Sequence, residues 1–192
     1  MCLCTESKAF CTNLCFIQAI PADQSVHNPC VLISGVCVTY TAIIKAPFGH
    51  LGIVVDEGLL VKLAFLDNRT ELLAPMAGTL AARVADELDA YFANATFPFS
   101  IPFQLHGTPF QRRVWSAIET IPSGDTLTYQ QVANRLGTAP RPVGNACGRN
   151  PIPLIVPCHR VIARNGLGGF NQSTGRLTVG IKQWLLAHEQ RC

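Results

Sequence analysis

The spacing of apolar residues between positions 39 and 105 predicts a small sheet followed by one helix. The runs Thr39–Lys45, Leu51–Asp56 and Leu60–Leu66 are rich in β-branched and large apolar residues, and turns containing glycine separate them. Short runs joined in this way are typical of an antiparallel meander. In Met76–Asn94 apolar residues recur at every fourth position, which predicts an amphipathic helix.

After residue 106 the pattern becomes helical. Two capping boxes, at Thr108 and Thr128, predict the starts of two helices, and the second helix stops at a glycine. Further helices are predicted over Pro140–Arg149 and Leu177–Glu189. The short helix after Thr128, the glycine turn and the helix that follows favour a helix-turn-helix. Two helices packed in any bundle give the same pattern, and this alternative stays open.

These patterns together predict an α+β fold with two lobes. A small antiparallel-sheet N-terminal lobe is expected over residues 38–105. A helical C-terminal lobe over residues 106–192 carries the helix-turn-helix. The connector Phe97–Phe103, rich in proline and phenylalanine, marks the boundary between them.

Residues 1–37 differ from both lobes. They hold six of the nine cysteines, just three charged residues and no clear periodicity. No secretory signal is evident, so we expect a poorly ordered extension with reduced thiols in a cytosolic protein. A soft-metal site is the alternative, and its candidate ligands are Cys2, Cys4, Cys11 and Cys15.

Charge is distributed unequally between the two parts of the chain. Residues 1–105 carry 5 Lys and Arg against 9 Asp and Glu, whereas residues 106–192 carry 10 against 3. This asymmetry indicates an anionic partner for the C-terminal part, with nucleic acid as the first candidate. A solvated basic face is the alternative. No stretch reaches the roughly 18 uninterrupted apolar residues of a membrane span, so no membrane partner is expected.

Cys158 is the leading candidate for chemistry. A run of prolines precedes it and a glycine-rich loop follows it, an arrangement that presents one side chain in a defined pocket. A neighbouring imidazole or cation converts a thiol into a nucleophilic thiolate, and His159 and Arg160 are adjacent. A carboxylate is needed to hold the imidazole tautomer, and Glu189 is the best candidate. The alternative is a buried structural cysteine.

The segment Pro157–Ile162, preceded by Asn150-Pro151-x-Pro153, resembles the active-site motif of the methylated-DNA–protein-cysteine methyltransferases, also called O6-alkylguanine-DNA alkyltransferases. Three further segments agree with that family: Thr128–Ala133, Arg141–Gly144 and Trp184–Glu189. The resemblance is strong over residues 106–192, weaker over 39–105 and absent from 1–37.

Two features depart from the family pattern. The stretch Asn171–Gly180 is several residues longer than in most relatives, and Phe170 stands where tyrosine is more common. Because this loop should form a wall of the alkyl pocket, the range of alkyl groups stays open. The zinc ligands that some relatives carry in the first lobe have no clear match here.

The resemblance implies a catalytic role for five residues. Cys158 is similar to the family's alkyl acceptor, and the Asn150 side chain would brace the turn that leads to it. His159, through a water molecule, would remove the thiol proton, with Glu189 orienting the imidazole. Tyr129 would donate a hydrogen bond as the guanine leaves.

The resemblance also implies DNA and base contacts. Arg141 would fill the gap in the base stack when the nucleotide rotates out, which the reaction requires because a thiol in a pocket cannot reach a base inside a duplex. The DNA-binding set implied is Arg141, Tyr129, Arg149, Thr128 and Gln130. The base pocket implied is Pro153, Val161, Gly169 and Phe170.

As a whole, the resemblance implies DNA repair by stoichiometric, irreversible transfer of an alkyl group from O6 of guanine, and from O4 of thymine, to Cys158. The base is expected to be flipped from the minor-groove side of double-stranded DNA. No cofactor and no metal are implied, the N-terminal lobe is expected to be ribonuclease H-like, and the protein is expected to act as a monomer. Its expected location is the cytoplasm, associated with the nucleoid, or the nucleus of a eukaryote.

Three other functions compete with this one. An alkyltransferase-like protein that flips lesions without repairing them would lack the reactive cysteine. A cysteine hydrolase built on Cys158 and His159 would need an oxyanion hole and would turn over. A transcription regulator using the helix-turn-helix alone would not need the Pro-Cys-His-Arg segment.

Overall fold

The computed structural model describes residues 30–33, 36–170 and 176–190. The four cysteines of the alternative soft-metal site and residues 171–175 of the long loop lie outside the described residues. Strands β1 (Cys30–Ile33) and β2 (Val36–Thr39) pair as an antiparallel hairpin. The lobe boundary expected at residue 37 therefore falls inside β2.

The predicted meander is present as a three-stranded antiparallel sheet in the order β3-β4-β5. Its strands are β3 (Ala42–Ala46), β4 (Gly49–Asp56) and β5 (Leu59–Leu66). Leu51 and Ile53 on the central strand are fully buried. They belong to one apolar core that continues into the helical part of the molecule.

Helix α1 (Leu80–Ala93) contributes to the same core. It begins a few residues later than its apolar pattern predicts, because the Thr79 side chain accepts a hydrogen bond from the Ala82 amide and fixes the first turn there. Val84 and Leu88, two members of the predicted apolar stripe, are fully buried.

Both predicted capping boxes are present and begin α2 (Pro109–Glu119) and α3 (Tyr129–Leu136). Helix α3 ends at Gly137, whose φ of 64° places it in the left-handed region that favours glycine. After a short turn α4 (Pro140–Gly148) begins with proline. Helices α3 and α4 form the helix-turn-helix and pack on α2, where the Trp115 indole donates a hydrogen bond to the Ala146 carbonyl at 2.9 Å.

The chain beyond α4 returns under the helix-turn-helix. The proline segment leads into one turn of 3₁₀ helix at Cys158–Arg160 and then into β7 (Val161–Ile162). Strand β7 pairs in parallel with β6 (Leu127–Thr128), a non-local pairing that the sequence pattern did not indicate. Helix α5 (Arg176–Glu189) is the last element described. Within the described ranges, no helix is long and apolar enough to cross a membrane.

The sheet and the helices meet along an aromatic seam. Trp184 of α5 packs edge-on against Phe48 and near Phe92, with ring centroids 5.3 and 6.0 Å apart. A backbone hydrogen bond of 2.9 Å joins the Leu63 amide of β5 to the Pro151 carbonyl, just after α4. The sheet therefore supports the segment that carries Cys158.

Candidate active site

Cys158 lies almost completely buried, with 4% of its surface exposed, and Asn150 braces the turn around it. The Asn150 side-chain amide donates hydrogen bonds to the Val156 carbonyl at 2.7 Å and to the Cys158 sulfur at 3.3 Å. Its oxygen accepts from the Ile152 amide at 3.1 Å. One asparagine thus closes the proline loop and contacts the sulfur that the loop presents.

The 3₁₀ turn at Cys158 directs His159 away from the thiol and towards α5. The His159 Nε2 atom lies 2.9 Å from a carboxylate oxygen of Glu189, and the imidazole is fully buried. Burial lowers the pKa of His159 in spite of the opposing effect of Glu189, so the ring is neutral near pH 7. With Nε2 protonated and donating to Glu189, the Nδ1 atom is an acceptor, and no described residue hydrogen-bonds it.

Glu189 is fixed by more than the imidazole. The Arg160 guanidinium makes three hydrogen bonds of 2.8–3.2 Å to its two oxygens, and the Tyr91 hydroxyl of α1 donates at 2.8 Å. Burial alone would raise the pKa of Glu189, but the hydrogen bonds from His159 and Arg160 bring it down to about 2. Glu189 therefore remains a carboxylate and holds His159 in one tautomer.

Tyr129 lies at the N-terminus of α3, beside the glycine-rich loop. Its hydroxyl donates to the Gly169 carbonyl at 3.3 Å, and its ring approaches Gly168 so closely that a Cβ there would lie 3.0 Å from it. Gly168 also has a φ of +71°, so glycine is required for both reasons. Burial raises the pKa of Tyr129, which keeps the phenol protonated and able to donate.

The Cys158 thiol is held in its neutral form at rest. Burial raises its pKa, and the hydrogen bond from Asn150 and the charge of Lys182 only partly oppose this. A second buried thiol, Cys147 on α4, interacts electrostatically with Cys158, and burial raises its pKa as well. Both thiols are therefore protonated at rest. Cys158 must lose its proton to a base before it can act as a nucleophile.

The residues expected to form the base pocket differ in exposure. Pro153, Val161 and Phe170 are buried, whereas Gly169 is partly exposed. Phe170 packs against Phe65 of the sheet, with ring centroids 5.5 Å apart. The position of Phe170 is thus supported by β5.

The residues expected to bind DNA lie on the outer face of the helix-turn-helix. Arg141, Arg149 and Gln130 are exposed, and Thr128 is half-buried because it caps α3. Arg149 lines an open groove of about 590 Å³ between α4 and the start of α2. Arg141 lies in the first turn of α4 and does not line this groove, although its neighbour Pro142 does.

Two residues of the site were not singled out from the sequence. Lys182, fully buried on α5, donates to the backbone carbonyls of Val161, Leu167 and Gly169, and the Tyr91 hydroxyl contacts Glu189 across 98 positions of sequence. One signal did exist for Lys182, which is the single lysine among the ten basic residues after position 105. Among the described residues, no cluster of side chains is arranged to hold a metal ion.

The site combines a buried cysteine and a His–Glu pair with a helix-turn-helix. This combination is typical of a cysteine-dependent transferase or hydrolase. Comparison with known proteins distinguishes these two classes. A family model described as "6-O-methylguanine DNA methyltransferase, ribonuclease-like domain" matches residues 39–105. A second, described as "6-O-methylguanine DNA methyltransferase, DNA binding domain", matches residues 109–191.

Individual relatives agree with the family models. A "Methylated-DNA--protein-cysteine methyltransferase" of Shigella flexneri is 38% identical over 163 residues, covering 76% of this chain and 92% of the relative. One of Methanosarcina acetivorans is 36% identical over 160 residues, covering 80% and 99%.

Solved structures give the same result. The crystal structure of Mycobacterium tuberculosis O6-methylguanine methyltransferase has a TM-score of 0.65 at 38% identity, covering 78% of this chain and 91% of that one. The same organism's OGT in complex with DNA has a TM-score of 0.66 at 37% identity, covering 78% and 92%.

The chain therefore belongs to the 6-O-methylguanine DNA methyltransferase family and is a DNA-repair methyltransferase of that class. The resemblance inferred from its motifs and the predicted α+β fold class are both confirmed.

Proposed function

We propose that the protein repairs double-stranded DNA by moving an alkyl group from O6 of guanine to its own Cys158. The observation that carries this proposal is the site itself: a buried thiol braced by Asn150, next to a neutral imidazole that Glu189 holds in one tautomer. The partner is duplex DNA bound by a monomer, and the protein acts where DNA is held, in the nucleoid or the nucleus.

The damaged nucleotide leaves the base stack before it reacts. Cys158 is only 4% exposed, so a base that stays in the duplex cannot contact the sulfur. Arg141 is exposed in the first turn of α4 and fills the vacated space. Because α4 enters the minor groove, whose pattern is degenerate, the protein searches DNA without sequence preference.

Transfer begins when His159 takes the thiol proton. A water molecule carries that proton from Cys158 to the free Nδ1 atom, and Glu189 stabilises the imidazolium that forms. The thiolate then attacks the alkyl carbon, so that the sulfur–carbon bond forms as the carbon–O6 bond breaks.

The electron pair of the broken bond stays with the guanine. The Tyr129 hydroxyl stabilises the negative charge by donating a hydrogen bond, and the base takes up a proton to become ordinary guanine. The same displacement applies to O4 of thymine, whose alkyl carbon is bonded to an equally stabilised leaving group.

Each protein molecule accepts one alkyl group and does not react again. The thioether on Cys158 is a poor electrophile, because its leaving group would be an unactivated thiolate. Cys147, the other buried thiol of the site, is kept protonated by burial and does not remove the group. A hydrolase would need water to release the group from the sulfur, and a thioether, unlike a thioester, has no carbonyl carbon for water to attack.

The test uses duplex DNA with a radiolabelled methyl group on O6 of one guanine, and the variants Cys158→Ala and Cys147→Ala. Label should move to the wild type and to Cys147→Ala, and none should move to Cys158→Ala. Cys158→Ala should still bind the duplex with an affinity within about tenfold of wild type, because phosphate and groove contacts come from other residues. Label transferred to Cys158→Ala would overturn the assignment of the acceptor.

A further inference from the structure

Lys182 is a buried ammonium that the alkyl-transfer steps above do not use. It lies on α5, none of its surface is exposed, and its Nζ atom donates hydrogen bonds to the carbonyls of Val161, Leu167 and Gly169 at 2.7, 2.6 and 3.2 Å. These three bonds use every proton of the ammonium. A lysine side chain is almost never fully buried unless its charge is paired with other groups.

The three carbonyls belong to two separate segments of the chain. Val161 lies on β7, directly after the turn that carries Cys158, whereas Leu167 and Gly169 lie on the glycine-rich loop. The Gly169 carbonyl also accepts the hydrogen bond of the Tyr129 hydroxyl. One ammonium thus joins the thiol-bearing segment, the loop and, through a shared carbonyl, the phenol.

The charge of Lys182 acts on the ionisable groups around it. It interacts electrostatically with Cys158 and with Cys147, and it lies 5.8 Å from the centre of the Tyr129 ring. It also helps to keep His159 neutral. Burial lowers the pKa of Lys182 to about 8, while the two thiols act in the opposite direction, so most of the charge is present near pH 7.

We propose that Lys182 is a positioning residue of the transfer reaction: it holds β7 and the glycine-rich loop together beside Cys158 and presents a positive charge that favours the Cys158 thiolate. The role in the transfer reaction rests on the proposed function. The effect on the thiolate concerns the thiol alone and is measurable without DNA.

The experiment compares Lys182→Met, Lys182→Gln and Lys182→Arg with Lys45→Met, a control on an exposed lysine of β3. The probe is iodoacetamide, and peptide mass spectrometry follows the rate of its reaction at Cys158 as a function of pH. In Lys182→Met and Lys182→Gln the midpoint of the profile should move up by about one pH unit, because a nearby cation is lost. Lys182→Arg and Lys45→Met should keep the wild-type midpoint.

If Lys182 had only a structural role, its substitution would change the maximal rate of the iodoacetamide reaction or the melting temperature of the protein. The midpoint of the pH profile would stay in place. An unchanged midpoint in folded Lys182→Met therefore overturns the proposal. Transfer from methylated duplex DNA is measured in parallel. If wild-type protein fails to take up methyl from DNA, the proposed function fails, whereas the iodoacetamide profile still decides the role of Lys182.

A measurement on wild-type protein avoids any dependence on how the variants fold. The ¹³C resonance of the Lys182 side chain is titrated before and after Cys158 is alkylated with iodoacetamide. Alkylation prevents Cys158 from ionising at any pH. In the free protein the thiolate that forms at high pH keeps part of the Lys182 ammonium charged, so the Lys182 titration should shift to lower pH after alkylation, while that of Lys45 stays constant. A Lys182 midpoint that does not respond to alkylation would contradict the proposed coupling.

Discussion

The sheet-containing part and the helical part of this molecule contribute to one site in different ways. The atoms proposed to react or to contact the base, from Tyr129 to Glu189, all lie after position 105. The sheet-containing part supplies the Tyr91 hydroxyl to Glu189, the Leu63 amide to Pro151 and the Phe65 ring to Phe170. The proposed chemistry thus lies in the helical part, and the sheet-containing part contacts three of the residues that support it.

The charges of the two parts show the same division. The excess of acidic residues lies before position 105 and the excess of basic residues after it. Repulsion between the acidic part and phosphates favours DNA on the helical face alone. Substitutions in the helical part should therefore change transfer strongly, and substitutions in the sheet-containing part should change stability more than transfer.

The largest effect on DNA repair, short of removing the thiol, is expected for Arg141→Ala. Transfer from methylated duplex DNA should slow by about one to three orders of magnitude, because the variant lacks the side chain that we propose fills the vacated stack. Reaction with the free base O6-benzylguanine should be nearly unchanged, since that substrate needs no flipping. Equal losses on the two substrates, measured as second-order rate constants, would refute the assigned role of Arg141.

A smaller effect is expected for Tyr91→Phe, which removes the hydrogen bond from α1 to Glu189. A hydrogen bond to a buried charged group contributes about 1.5–3 kcal/mol, so urea unfolding should show a loss of stability in that range. Transfer should slow by about tenfold or less, because Arg160 still holds the carboxylate.

Tyr40→Phe is the matched control for that variant. Tyr40 is a second buried tyrosine of the sheet-containing part, and no described residue hydrogen-bonds its hydroxyl. Its substitution should leave stability and transfer near wild type. If Tyr40→Phe and Tyr91→Phe lose stability equally, the Tyr91–Glu189 contact is not what links the two parts.

Stability should fall on acidification, mainly because of His159 and Glu189. Burial lowers the pKa of His159 below its ordinary value of 6.5, and Glu189 has a pKa of about 2 against an ordinary 4.5. Both groups bind a proton more readily in the unfolded chain than in the folded protein. Each therefore contributes fully to the free energy of unfolding above its ordinary pKa, and the contribution declines as the pH falls below that value. Urea unfolding measured from pH 8 to pH 3 should show this decline.

A comparison of two carboxylates sharpens the prediction. The pKa of Asp67, in the sheet-containing part, is also about 2 because of Arg69, but this ion pair is exposed and screened by solvent. Asp67→Asn should leave the pH dependence nearly unchanged, whereas Glu189→Gln should flatten it between pH 4.5 and 3. Similar pH profiles for the two variants would show that burial does not distinguish the two parts.

The smallest effect is expected from removal of residues 1–29. They precede every described strand and carry three of the chain's charged residues, so the truncated protein should bind and repair duplex DNA at the wild-type rate. A folded but inactive truncation would show that this segment contributes to the site.

The sequence predicted what depends on neighbouring residues. The two capping boxes and the helix stop at Gly137 are local signals, and each is present in the structure as expected. The proline run before Cys158, whose spacing predicts an extended path, instead turns at Leu154, which has a φ of 78°. The parallel pairing of β6 with β7 and the Tyr91–Glu189 contact join residues far apart in sequence, and periodicity contains no information on such pairs. Lys182 was missed for a related reason, because its three partners are backbone carbonyls that any residue carries.

The central claim is that Cys158 takes one alkyl group and is then spent. Protein is incubated with a large excess of O6-methylguanine duplex, and intact mass, peptide mass and repaired DNA are measured over time. Repaired DNA should reach a plateau at one equivalent of protein, with a single added CH2 on the peptide that contains Cys158 and none on the peptide that contains Cys147. Repaired DNA that rises steadily past one equivalent, or a methyl group on any other residue, would contradict the account.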